Sequence, residues 1–208
     1  MLKSHAYGAS YLATKKSQRT IQSPQKLRII GGKWRSRTIP FPTVQGLRPT
    51  GDRIRETVFN WLTPTIEGAR CLDLFAGSGS LSFEALSRGA AHCTALELQD
   101  AAVSQLRDSA TVLAAHGLRV VQTNSLQYLE NNVAEWQYDL AFVDPPFDTP
   151  LLSSACALLE RGQWLAVNAK IYCELSAADN SFVPPPNWQL LREKISGGVW
   201  YCLFSFVY

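Results

Sequence analysis

The chain has no apolar run approaching the roughly 20 residues of a membrane span, and its start has no secretory-type apolar stretch. Its five cysteines, at 71, 93, 156, 173 and 202, are odd in number and form no C-x-x-C pair. Each sits in an apolar context, which reads as buried reduced thiols and excludes a disulfide framework or a cysteine zinc site. A reducing cytoplasm is therefore the expected compartment, with no metal and no membrane. Acid is nearly absent from the front: residues 1–55 hold twelve Lys/Arg against Asp52 alone, a charge of +11, whereas residues 56–208 carry −8, for a net +3. A basic arm on an acidic body suits an enzyme acting on a polyanion, because the arm docks phosphates while the body keeps its own chemistry. With 46% hydrophobic and 18% charged residues the chain is not disordered as a whole, and 208 residues allow one main core with a small appendage.

Residues 1–26 are polar and without sustained period, so they read as a basic, disordered tail. Residues 27–49 follow as a small hairpin and linker: Ile29-Ile30 and Thr38-Ile39 bracket a Gly-Gly pair and the basic run Lys33-Trp34-Arg35-Ser36-Arg37. Trp34 either stacks on a nucleobase or pins the hairpin to the body. From residue 50 to 208 the chain reads as the catalytic domain. A helix follows Thr50, capped by Asp52 or Thr50, with Ile54, Val58, Phe59, Trp61 and Leu62 as its apolar face. Strands at about 70–75, 92–97, 118–122, 138–143 and 169–175 then alternate with helices at about 78–89, 100–116, 125–134 and 149–160. Continuous apolar strands between amphipathic helices imply a parallel sheet covered on both faces. The tail breaks the alternation: Trp188–Ile195, a Gly197-Gly198 turn and Val199–Val207 read as a β-hairpin, so one of the last two strands runs antiparallel to the rest.

Two strand tips carry the chemistry. Cys71-Leu-Asp73-Leu-Phe75-Ala-Gly77-Ser-Gly79-Ser ends an apolar strand in an acid and then a glycine turn. Such a turn lets the backbone approach a ligand and offers the amides of the next helix. Asp73 favours a cation over a pyrophosphate, Glu97 at the next tip suits the two hydroxyls of a ribose, and Ser82 stands where a dinucleotide site wants its third glycine. An adenosine-bearing cation, S-adenosylmethionine, fits these residues better than NAD. The second tip, Leu140-Ala-Phe-Val-Asp144-Pro145-Pro-Phe147, is rigid and presents carbonyl acceptors beside a carboxylate. Acceptors aimed at the N–H bonds of an exocyclic amine orient it and stabilise the charge that develops on methyl transfer. Phe147 supplies a face for an extruded base.

Together with Arg28-Ile-Ile-Gly-Gly-Lys33-Trp34-Arg35 and Arg48-Pro49-Thr50-Gly-Asp-Arg-Ile-Arg-Glu56, these motifs resemble the RsmD-type family of bacterial 16S rRNA guanine-N2 methyltransferases, from about residue 27 to the C-terminus. The resemblance implies a class I S-adenosylmethionine-dependent methyltransferase fold, Rossmann-like, with a seven-stranded, mostly parallel sheet that includes the C-terminal antiparallel hairpin. It implies that Arg48, Pro49 and Thr50 close over the cofactor, that Asp73, Phe75, Gly77, Gly79 and Glu97 bind it, and that Asn124 and Ser125 lie beside its adenine. Ser125 stands where many relatives carry Asp.

The expected reaction is direct in-line methyl transfer to the N2 amine of a guanine flipped out of 16S rRNA, in the assembling or complete small ribosomal subunit. Asp144, Pro145 and Phe147 are the expected catalytic residues, and Arg28, Lys33, Trp34, Arg35 and Arg37 the RNA-binding ones. An adenine-N6 DNA methyltransferase is the nearest alternative, because the Asp144 motif suits either amine. Ser82 disfavours a Rossmann-type oxidoreductase, and the intact Asp144-Pro-Pro-Phe147 disfavours a non-catalytic RNA-binding factor.

Overall fold

A computed structural model describes residues 25–42, 50–147 and 149–207. The first two strands, β1 (Gln25–Arg28) and β2 (Thr38–Phe41), pair antiparallel. β1 thus begins two residues inside the stretch assigned to the tail; the rest of that stretch lies outside the described residues. Helix α1 (Asp52–Leu62) follows, then β3 (Arg70–Asp73), α2 (Ser80–Ser87), β4 (His92–Glu97), α3 (Asp100–Leu113), β5 (Leu118–Gln122), α4 (Ser125–Asn131), β6 (Tyr138–Val143), α5 (Leu151–Arg161) and β7 (Leu165–Ser176). The chain closes with β8 (Trp188–Ser196) and β9 (Val199–Phe206).

Seven strands form one sheet in the order β5-β4-β3-β6-β7-β9-β8, with β9 running antiparallel to both of its neighbours. The expected reversal therefore falls on the last strand. β7 starts four residues earlier than its apolar pattern suggested. Asn168 adopts a left-handed φ of 62°, a conformation its short polar side chain tolerates, and the pairing with β6 shifts register there before resuming at Lys170. α1 also departs from expectation: Gly51 occupies its N-cap without a side-chain cap, because Asp52 turns to ion pairs with Arg28 and Arg55 instead.

Period-two alternation splits the sheet's side chains between two cores. Cys71, Phe142, Tyr172 and Leu203 join one face with α1, α2 and α3, and Leu72, Ala141, Ile171 and Phe204 join the other with residues of α4 and α5. The N-terminal hairpin shares the first core through Leu27, Ile29, Trp34, Ile39 and Phe41. All five cysteines are free and buried, and burial pushes the thiols of Cys71, Cys93 and Cys173 up. None of these three is a thiolate nucleophile at neutral pH. Among the described residues no helix is long and apolar enough to cross a membrane.

Candidate active site

The strand order reverses between β3 and β6, and in an open α/β sheet that is where ligands collect, beyond the carboxyl ends of the strands. Both acid-tipped strands meet there: β3 ends in Asp73, and Asp144 directly follows β6. A cleft of about 860 Å³ opens at this point, within the range of small-molecule sites. Its walls include Thr50, Asp73, Phe75, Gly77, Glu97, Asn124, Ser125, Asp144, Pro145 and Phe147, all singled out from the sequence.

Asp73 is 1% exposed. The Ser82 hydroxyl donates to its Oδ2 at 2.6 Å, while no donor among the described residues reaches Oδ1. Burial raises its carboxyl to about 6, against the opposing pull of Ser82 and nearby backbone amides; the Glu97 charge adds to the rise. Ser78 Oγ is likewise buried and unpartnered. Unsatisfied buried polar atoms beside a cleft are what a donor-bearing, cationic ligand would satisfy. Glu97 accepts the Gly77 amide at 2.8 Å and the Gln99 amide at 2.7 Å. Each of its oxygens keeps a second acceptor position, and the carboxylate locks the glycine turn in place.

Other predicted residues do structural work. Gly79 does not line the cleft; its φ is 79°, and a Cβ there would sit 2.6 Å from Leu106 and Phe83. It sets the start of α2 and lets that helix pack closely. Asn124 Oδ1 caps α4 by accepting the amides of Leu126 and Gln127, and Ser125 donates to the Leu74 carbonyl. Both residues reach the cleft wall with those side-chain oxygens already engaged. Arg48 and Pro49 lie outside the described residues, but Thr50 is buried and its hydroxyl donates to Asp144 Oδ2 at 3.1 Å.

The hairpin corrects an expectation. Trp34 is 6% exposed, packed in the core, with its amide donating to Ser87 Oγ. Gly32 permits this docking: with φ at 74°, any Cβ would come within 1.8 Å of the Ser87 carbonyl. Trp34 therefore pins the hairpin and has no free face for a base. Lys33 lies over its ring at 4.4 Å. Arg28, Lys33, Arg35 and Arg37 remain exposed, although Arg28 pairs with Asp52 and Arg37 donates to the Val112 carbonyl.

Glu174 is a cleft residue that none of the sequence motifs marks. It is 3% exposed, lines the cleft, and its Oε1 accepts the Tyr172 hydroxyl at 2.6 Å. It comes close to the pattern of Asp73, Glu97 and Asp144, an acid toward the carboxyl end of an apolar strand, here two residues before β7 ends, and that recurrence is the available signal.

A sheet in this order with a reversed final strand, and a cleft at its switch point walled by an Asp-Pro-Pro-Phe loop, define a class I methyltransferase fold. A solved chain from Escherichia coli, yhhF, superimposes with a TM-score of 0.80 at 46% identity, covering 88% of this chain and 99% of that one. A solved chain from Haemophilus influenzae gives 0.78 at 40% identity, covering 88% of this chain and 100% of that one. The chain belongs to the family described as Conserved hypothetical protein 95, whose model matches residues 27–205, the RsmD-type family that the motifs resemble. Ribosomal RNA small subunit methyltransferase D of Escherichia coli is 47% identical over 180 residues, 86% of this chain and 90% of that relative. Its namesake in Haemophilus influenzae is 44% identical over 190 residues, 89% of this chain and 98% of that one.

Proposed function

We propose that this protein methylates the exocyclic N2 amine of a guanine in small-subunit ribosomal RNA, by direct in-line transfer from S-adenosylmethionine to a base extruded from its helix. The reading rests on relatives named for small-subunit rRNA methylation and above all on one observation: Asp73, whose buried Oδ1 has no partner among the described residues, and the Asp144-Pro-Pro-Phe147 loop line a single cleft. When bound, S-adenosylmethionine supplies an electrophilic methyl group on a cationic sulfonium. Asp73 and Ser78 offer buried acceptors to that cation and its polar groups, Glu97 offers acceptor positions for ribose hydroxyls, and the Gly77 turn gives close backbone approach. Thr50, Phe75, Asn124 and Ser125 complete the cofactor wall, and Arg48 and Pro49, outside the described residues, are assigned to cofactor binding by the family motif.

Asp144 and the Pro145 carbonyl orient the acceptor amine and stabilise its developing positive charge. The Thr50 hydroxyl steadies Asp144 by donating to Oδ2, and Ser80 in turn contacts Thr50 Oγ1 at 3.4 Å. Phe147 stacks on the base. Residues 27–49 act as the RNA-docking element of the catalytic domain, with Arg28, Lys33, Arg35 and Arg37 on phosphates; the substrate is 16S rRNA within an assembling or complete subunit in the cytoplasm. In Asp144→Ala, S-adenosylmethionine binding by calorimetry should persist while methyl transfer to small-subunit RNA falls by about 10²–10³-fold. Near-normal turnover would refute the assigned role.

A further inference from the structure

We infer that Glu174 is the residue that selects guanine over adenine, by accepting the base's N1–H while Asp144 accepts the N2 amine. The inference rests on reading the cleft as a guanine-N2 site. β6 and β7 are parallel neighbours whose register ends with Val143 paired to Cys173; Asp144, directly beyond the end of β6, and Glu174, the next residue of β7, follow that pair, and both line the cleft. Adjacent positions of parallel strands present their side chains to the same face. Tyr172 fixes the geometry: it is fully buried, its hydroxyl donates to Glu174 Oε1, and it lies within the field of both carboxylates.

Two carboxylates in a row make an acceptor–acceptor pair. Guanine presents two adjacent donors on its Watson–Crick edge, N1–H and the N2 amine. Adenine presents a donor, N6, beside an acceptor, N1, so its N1 lone pair would face the Glu174 carboxylate. A buried polar group left against a like partner rejects a ligand strongly, whereas an apolar slot would accept either purine. Asp144-Pro-Pro-Phe147 alone suits any exocyclic amine; Glu174 supplies the discrimination that this loop lacks.

The test uses the full chain and small subunits reconstituted with 16S RNA that carries guanosine or 2-aminopurine riboside at the methylated position. The analogue keeps the N2 amine and replaces N1–H by an acceptor. Wild type should favour guanosine in kcat/KM by roughly 10- to 150-fold, the contribution of one charge-assisted hydrogen bond. In Glu174→Gln the carboxamide accepts from N1–H or donates to N1, so the ratio should collapse toward one, whereas Glu174→Asp should keep the guanosine preference. Equal use of both RNAs by wild type, or an unchanged ratio in Glu174→Gln, would overturn the assignment. The first of these needs no variant, so it stands even if Glu174→Gln does not fold. Mass mapping of the wild-type product separates the two levels: a nucleoside other than N2-methylguanosine overturns the activity itself, and the selector role with it.

Discussion

Replacing Asp73 by Asn should remove a pH dependence from the stability of the ligand-free protein and, with the same change, weaken its binding of S-adenosylmethionine. Burial holds the Asp73 carboxyl at about 6, while in the unfolded chain it ionises near the ordinary value of about 3.9. Between these values the folded protein keeps a proton that the unfolded chain has released, so stability is greatest below pH 4 and falls as pH rises to about 6. About two pH units correspond to roughly 3 kcal/mol, all of it lost above that window. The carboxamide of the Asp73→Asn variant does not titrate. In urea unfolding at pH 4 and pH 7.5, wild type relative to Asp73→Asn should therefore lose about 3 kcal/mol between the two pH values, or about 6–12 °C in Tm for a chain of this size. Other groups titrate in both proteins and cancel in the difference. Cofactor binding mirrors the effect: a cation is held better by the ionised carboxylate, so wild-type affinity for S-adenosylmethionine should weaken as pH falls through 6. The variant should bind about 10- to 100-fold more weakly at pH 7.5, without that dependence. Parallel stability profiles for the two proteins would refute the buried charge, and equal cofactor affinity would refute its role.

Trp34→Ala empties a core position shared by the hairpin and the body and should cost about 3–5 kcal/mol in urea unfolding; a loss of RNA affinity with stability unchanged would instead make Trp34 a base-stacking residue. Arg35→Ala with Arg37→Ala should leave stability within about 0.5 kcal/mol and weaken RNA binding. It should also lower the slope of log affinity against log salt by about one per arginine, and an unchanged slope would refute phosphate contact.

Most of the sheet was legible because continuous apolar runs such as Leu140–Val143 and amphipathic stretches such as Asp100–Leu113 declare their own period. The same is true of the two acid tips, since an acid closing an apolar strand beside a glycine or proline turn has few structural uses. What stayed hidden depends on partners distant in the chain. The packing role of Gly79 shows only once Leu106, 27 residues on, is seen to need the space of its missing Cβ. Trp34 among bases looks like a stacking platform until α2 is seen to bury it. Asn124 and Ser125 are local polar residues whose side-chain oxygens turn out to be spent on a helix cap and a strand carbonyl. Glu174 lies within the expected 169–175 strand, and no glycine or proline turn follows it directly to mark it as a tip.

The residue that joins these parts is Glu84, fully buried in α2. Its carboxylate accepts the amides of Ile30 and Gly31 at 2.8 Å each, and pairs with Arg55 and Arg88. Arg55, also fully buried, donates to the Arg28 carbonyl, to Asp52 and to the Thr50 carbonyl. A buried ion pair of this kind contributes little net stability compared with apolar packing, because both charges must leave water. What it does supply is geometry, since each oxygen and each N–H must find its partner. Here the partners are the backbone of the basic hairpin on one side and the segment carrying Thr50 on the other. Thr50 in turn holds Asp144 through its hydroxyl. The hairpin and the Asp144 loop are thereby registered against one helix, which gives Arg28, Gly31, Arg55 and the single early acid, Asp52, a shared structural role.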